Sequence, residues 1–224
     1  IAAALESGEY TVNSTIDTSP GFRRFGRFTI RDHRNYGVLD LTEIIVKSSN
    51  VGVSNIATDL GGDTLRNLYA RLGLGQATGI GFPGEAVGVL PAPPKWRPVE
   101  ESTLSYGYGM SVNALQLAQA YMVIANGGIR YPLSLMRQEQ RPQGQRVLSE
   151  QVTRAVRDML KQAVARGTGK RARPGLYAAG GKTGTVHLVG ANGYEDSQYK
   201  AIFAGMAPID DPRIVTVVAV DAPQ

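Results

Sequence analysis

Four consecutive residues, Lys182-Thr183-Gly184-Thr185, put an ammonium group, two hydroxyls and a position without a side chain into one short stretch. On a strand, Thr183 and Thr185 share a face, Gly184 lets a ligand approach the backbone, and the Thr185 N–H can donate to a developing oxyanion. One such donor is typically worth about 100- to 1000-fold in rate. An ordinary edge strand accounts for the same residues without any chemistry. The second constellation is Ser48-x-Asn50, at the junction of two helical patterns. Its hydroxyl can relay a proton and its amide can hold a peptide carbonyl. Helix capping by Ser and Asn is the structural alternative.

The elements that must position these groups can be read from periodicity and punctuation. Asp40, three residues before Glu43, opens a helix that carries Leu41, Ile44 and Ile45 and ends near Lys47. Val51, Ile56 and Leu60 continue helically to Gly61-Gly62. Asp63 is the expected cap of a helix bearing Leu65, Leu68, Tyr69 and Leu72. Residues 73–98 hold six glycines and five prolines, a long connection of the kind that is functional or mobile. Ser111 is the expected cap of a helix running to Ala125. Ser149 caps another, with Val152, Ala155, Val156, Met159, Leu160, Ala163 and Val164 on one stripe.

Beyond Gly175 the pattern turns to strand: Leu176 to Gly180 leads into Lys182 to His187, then Tyr199 to Ala207 and Arg213 to Val220, with turns at Ala191-Asn192-Gly193 and 208–212 that permit antiparallel pairing. The fold class expected is α+β, an antiparallel sheet covered by helices, with a helical part over about 1–165 and terminal strands over about 176–220. Ile1 to Gly8 reads as the end of a helix with no capping residue before it, and the chain stops soon after a strand, so truncation at both ends is expected.

Composition excludes several classes. The 224 residues are 42% hydrophobic and 19% charged, which suits a globular domain and rules out collagen-like and coiled-coil chains. No cysteine is present, so disulfides, thiolate zinc sites and cysteine nucleophiles are excluded, and two histidines, His33 and His187, cannot build a histidine-rich metal centre. The net charge of +5 is too dispersed to argue for nucleic acid. The one dense basic cluster, Arg166 to Arg173, is broken by Gly167 and Gly169 and reads as a solvated, flexible loop. No apolar run approaches the roughly 18 residues of a membrane span.

The order Ser-x-Asn after a capped helix, then Lys-Thr-Gly-Thr far downstream on a strand, is the signature of penicillin-recognising active-site-serine enzymes. With Thr29-Ile-Arg-Asp32, Leu41 through Ser54, Leu72-Gly-Leu-Gly75, Phe82-Pro-Gly-Glu85 and Tyr106-Gly-Tyr-Gly-Met-Ser111, the chain resembles over nearly its whole length the transpeptidase domain of class B penicillin-binding proteins, most closely the septal, cell-division member. The resemblance implies the penicillin-binding-protein/serine β-lactamase-like fold. It also implies a peptidoglycan D,D-transpeptidase at the periplasmic face of the bacterial inner membrane, held by an N-terminal anchor outside this chain. The substrates implied are D-Ala-D-Ala stem peptides, the inhibitors β-lactams, and the partners a glycan polymerase and division proteins, with no cofactor or metal needed and no nucleic-acid partner.

Carried over residue by residue, Ser48 joins a proton relay with Lys182, Asn50 binds the acyl-side amide, and Thr183 and Thr185 hold the substrate carboxylate. The Thr185 N–H supplies half of the oxyanion hole, Gly184 keeps the wall open, Tyr108 forms the cleft-wall aromatic, Tyr106 packs, and Tyr199 lines the cleft opposite. The family's Ser-x-x-Lys, its nucleophile and general base, is not in this chain. Ser197-Gln-Tyr-Lys200 fits the letters but follows Lys-Thr-Gly at a strand start, whereas the true motif opens a helix before Ser-x-Asn. The rival readings are a D,D-carboxypeptidase, a serine β-lactamase, or a binding module that keeps the cleft without its nucleophile.

Overall fold

The structure, a computed structural model, describes residues 1–140, 142–190 and 193–223, with backbone alone over 187–190 and 193–198. The chain opens with α1 (Ala2–Ser7), which ends at Gly8 in the left-handed conformation, φ 79°, where a glycine carries no Cβ penalty. Four short strands follow, none expected from the sequence: β1 (Thr15–Asp17) pairs with β4 (Val38–Asp40), and β2 (Phe22–Phe25) forms a hairpin with β3 (Phe28–Arg31). The arginine-bearing sequence of β2 and β3 lacks a clean apolar/polar alternation, and β1 and β4 are only three residues long. Guanidiniums stacked over phenylalanine rings take the place of that signal.

Asp40 caps α2 (Leu41–Lys47) as expected, its carboxylate accepting the Glu43 N–H at 2.7 Å. The helix stops at Ser48, which is left-handed at φ 58°, and Ser49 then caps α3 (Asn50–Leu60) by accepting the Gly52 N–H at 2.9 Å. Capping at this junction therefore falls to Ser49, not to Ser48 or Asn50. In α4 (Gly62–Leu72) the cap is Gly61, not Asp63. Asp63 sits in the first turn and accepts the Trp96 indole N–H at 2.7 Å.

The connection over 73–98 is pinned at several points. The Glu85 carboxylate accepts the Thr78 N–H and hydroxyl and the Asn113 amide, at 3.1, 3.0 and 3.1 Å. After α5 (Pro98–Leu104) comes α6 (Ala114–Ala125), capped by Asn113 in a reciprocal box with Gln116. The expected cap, Ser111, forms an isolated bridge with Val89 instead.

Beyond the short pair β5 (Ile129–Arg130) and β6 (Gln145–Arg146), Ser149 caps α7 (Glu150–Arg166), whose apolar stripe is buried as its spacing predicts except at Ala155, which is half-buried at its edge. The expected flexible loop after it is folded. The N–H groups of Gly167 and Gly169 both return to the Ala163 carbonyl, Arg166 pairs with Glu43, and Lys170–Ala172 form a 3₁₀ turn.

The terminal sheet is antiparallel in the order β7 (Gly180–Gly190), β8 (Gly193–Ala207), β9 (Ile214–Asp221). The Ala191-Asn192 step of the expected turn lies outside the described residues. Leu176 and Tyr177 stay exposed before β7 begins. Helix α7 packs along β7, and α6 lies against β8 and β9. The core between these layers is filled by Leu41, Ile44, Leu104, Val123, Val147 and Leu148, all buried. On β9, Ile214, Val218 and Val220 remain exposed. Among the described residues no helix is long and apolar enough to cross a membrane.

Candidate active site

The junction between α2 and α3 and the first half of β7 face one cleft of about 620 Å³, within the usual range for small-molecule sites. Ser48, Asn50, Lys182, Thr183, Gly184, Thr185 and Tyr108 all line it. Residues 134 positions apart thus meet because α2 and β7 both pack on α7.

Ser48 is exposed, and its hydroxyl makes no hydrogen bond among the described residues. Its positive φ is uncommon outside glycine, and its neighbours hold it there. Ser49, 1% exposed, donates to the Asp32 carboxylate at 2.6 Å, and the other Asp32 oxygen accepts the Val51 N–H at 3.0 Å. Asn50 donates at 3.4 Å to the Arg31 carbonyl. One carboxylate at the end of β3 therefore fixes both the turn and the first turn of α3, where negative charge also complements the helix N-terminus.

On the opposite wall, the Lys182 ammonium donates to the Thr183 carbonyl at 2.8 Å and to the Thr168 hydroxyl at 3.4 Å. The Thr183 hydroxyl donates to Thr168 at 2.9 Å. No hydrogen bond joins Lys182 to Ser48. Burial without a carboxylate partner lowers the Lys182 pKa from 10.5 to about 8. Gly184 is exposed, and a Cβ there would meet only Ile202 at 3.8 Å, an ordinary contact. The fold does not demand glycine at this position. By contrast, Cβ atoms on Gly180 and Gly181 would drive into Ile209 and Phe203, at 2.4 and 2.5 Å.

Three residues given no catalytic or binding role from the sequence belong to this arrangement. Thr168 lines the cleft and touches both Lys182 and Thr183; its flanking glycines were the available signal. A Cβ on Gly167 would lie 2.6 Å from the Val46 carbonyl, so the loop passes close against α2. Glu43 ties that loop down through Arg166 and also pairs with Lys47 one turn along α2. Burial works against its charge, but those two cations outweigh burial and hold its carboxyl below the ordinary range. Asp32 is the second. The third is Tyr106, expected only to pack, which lines the cleft beside Tyr108 with their rings 5.6 Å apart at 67°.

Tyr199 does not line the cleft. It pairs with His187 on β8, one same-face position beyond the Thr185–Ala201 pair. Ser197 belongs to β8 and its side chain lies outside the described residues, while Lys200 pairs with Asp221 at 2.9 Å, so these letters form no helical Ser-x-x-Lys.

A family model described as the penicillin binding protein transpeptidase domain matches residues 1–224. A probable peptidoglycan D,D-transpeptidase PbpC of Pseudomonas aeruginosa is 38% identical over 224 residues, all of this chain and 40% of that protein. The peptidoglycan D,D-transpeptidase FtsI of Escherichia coli is 38% identical over 225 residues, 38% of its length. The chain thus spans about two fifths of the curated relatives it matches. The apo structure of the TP domain of Burkholderia pseudomallei penicillin-binding protein 3 superposes with a TM-score of 0.94 at 40% identity, covering 99% of this chain and 68% of that one.

Proposed function

The chain belongs to the penicillin-binding-protein transpeptidase domain family, and on that premise we propose that it forms the substrate-binding and proton-relay walls of a peptidoglycan D,D-transpeptidase. The observation that carries this reading is the convergence of Ser48, Asn50, Lys182, Thr183 and Thr185 on one cleft.

In this mechanism a serine outside residues 1–224 attacks the penultimate D-alanyl carbonyl of a stem peptide. The peptide C–N bond breaks, D-alanine leaves with a proton on its nitrogen, and the acyl group passes to an amine of a neighbouring stem. The Asn50 amide holds the acyl-side peptide group, and the Thr185 N–H donates to the oxyanion. The Thr183 and Thr185 hydroxyls bind the terminal carboxylate beside the Lys182 charge. With a pKa of about 8, Lys182 loses and regains a proton near neutral pH, the property needed to shuttle one through Ser48 to the leaving nitrogen. Thr168 steadies the ammonium. Gly184 leaves room for the substrate to run along β7, and Tyr108 with Tyr106 forms the aromatic wall.

The same reading makes β-lactams acylating inhibitors. It assigns the protein to septal wall synthesis at the periplasmic face of the inner membrane, anchored by a segment outside these residues and working with a glycan polymerase and division proteins. A serine β-lactamase also needs a base that activates a deacylating water. No carboxylate lines the cleft among the described residues, which favours a slow-hydrolysing acyl-enzyme. Intact-mass spectrometry of the natural gene product with benzylpenicillin tests the proposal: one stable covalent adduct is expected. Rapid nitrocefin turnover would transfer the site to β-lactamase chemistry, and no adduct would leave a binding module. Release of D-alanine by water alone, with no cross-linked product, would make it a carboxypeptidase.

A further inference from the structure

Besides Arg166 to Arg173, a second and longer basic segment spans residues 22–34. Arg23, Arg24, Arg27, Arg31 and Arg34 face one acid, Asp32, a local balance of five minus one in a chain whose net charge is +5. The β2–β3 hairpin sorts these arginines by face. Arg23 points inward and anchors the ribbon to α3, donating to the Ser54 carbonyl, the Asn55 side-chain oxygen and the Thr58 hydroxyl at 3.1, 3.0 and 2.8 Å.

Register puts Phe22, Arg24, Thr29 and Arg31 on the other face, because Phe22 pairs with Arg31 and Arg24 with Thr29. There the Arg24 and Arg31 guanidiniums both lie over the Phe22 ring, 5.3 and 5.5 Å from its centre. Both arginines are exposed, and none of the ion pairs among the described residues includes Arg24, Arg27, Arg31 or Arg34. Stacking on an aromatic ring holds a guanidinium in place and leaves its N–H fork open to a carboxylate.

This face runs into the cleft. The Arg31 carbonyl accepts from Asn50, and the next residue, Asp32, holds Ser49 and Val51. Beyond it, Arg34 and Lys47 both lie over the Tyr36 ring, at 5.4 and 5.6 Å, and Lys47 adjoins Ser48. Basic side chains thus stand on either side of Asp32: Arg24 and Arg31 on the ribbon, and Arg34 with Lys47, itself paired with Glu43 at 3.0 Å, toward Ser48.

Resting on the cleft's reading as a peptidoglycan site, we propose that the outer face of the β2–β3 ribbon, centred on Arg24, Phe22 and Arg31, docks a peptidoglycan strand by binding the free carboxylates of its stem peptides. The occupant follows from position: the ligand that extends out of the cleft on this side is the substrate polymer itself. Exposed charge–charge contacts of this kind act additively and fade with salt.

The test is retention of the natural gene product by insoluble peptidoglycan sacculi. Retention is expected to weaken with salt, to fall about tenfold in an Arg24→Gln/Arg31→Gln variant whose circular dichroism matches the parent, and to fall similarly for the unaltered protein when sacculus carboxylates are converted to amides. Equal retention of parent and folded variant, or indifference to amidation, would overturn the proposal. So would retention by phosphatidylglycerol vesicles but not by sacculi, which would make the ribbon a membrane contact. Benzylpenicillin adduct formation by the unaltered protein is read separately: its loss overturns the cleft assignment, whereas failed sacculus binding with the adduct intact overturns the ribbon alone.

Discussion

On the helical wall of the cleft, Ser48 and Asn50 are held through their neighbours in one compact turn: Ser49 and Val51 bond the half-buried Asp32 carboxylate, and Gly52 bonds Ser49. On the strand wall, Lys182 and Thr183 share a single threonine, Thr168, brought in by the loop after α7. The first wall stores strain, with a serine at φ 58°. The second stores an electrostatic cost, a poorly solvated ammonium whose pKa falls to about 8. A fixed junction suits orientation of a peptide, and a lysine close to neutrality suits proton transfer. Under the proposed function, the two walls take complementary parts of one reaction.

The largest effect is expected where that assignment is most demanding. Lys182→Ala should slow benzylpenicillin adduct formation by about 100-fold or more, the usual worth of a positioned proton-transfer group, followed by intact mass against time. The cost of burying Lys182 should also show in stability. Below the folded pKa of about 8 both states carry the proton and the penalty is complete. Between about 8 and 10.5 the unfolded chain binds more protons, so stability rises with pH. Lys182→Met should remove that rise, worth on the order of 3 kcal/mol, in urea melts at pH 7 and pH 10.

On the helical wall, Asp32→Ala should cost about 2 kcal/mol by leaving the buried Ser49 hydroxyl and the Val51 N–H without their acceptor. Asp32→Asn should recover part of the loss in the same melts. The smallest effect should have the opposite sign. Ser48→Gly relieves the left-handed backbone and is expected to stabilise the fold by up to about 1 kcal/mol while slowing acylation, because the hydroxyl is lost. If it destabilised the fold, the turn would not be strained.

Much of this comparison could be read in the sequence. Asp40 and Ser149 announced their helices, the stripe of α7 announced its buried face, and the β-branched terminal strands paired as their pattern required. Where capping residues compete, the letters misled. Gly61 and Asn113 displaced Asp63 and Ser111 because the Trp96 contact and the Gln116 box decide the first turn. Of the strands over 15–40, β2 and β3 gave no pattern because cation–aromatic stacking, not apolar alternation, marks them, and β1 and β4 are too short to show one. Lys182, Thr183, Ser48 and Asn50 declared themselves by type and spacing. Thr168 and Asp32 act through contacts 14 and 17 residues away in sequence, which no local pattern encodes. Tyr199 failed as a cleft residue because its register leaves it beyond the Thr185 pair.

The central claim, that the two walls act as one relay, is tested most directly by a double-mutant cycle on the rate of benzylpenicillin adduct formation by the natural gene product. Ser48→Gly and Lys182→Met are compared singly and together. If Ser48 and Lys182 pass the same proton, the double variant should be no more than about threefold slower than the slower single variant. A double variant slowed by the product of the two single effects would show that the walls act independently and would contradict the account.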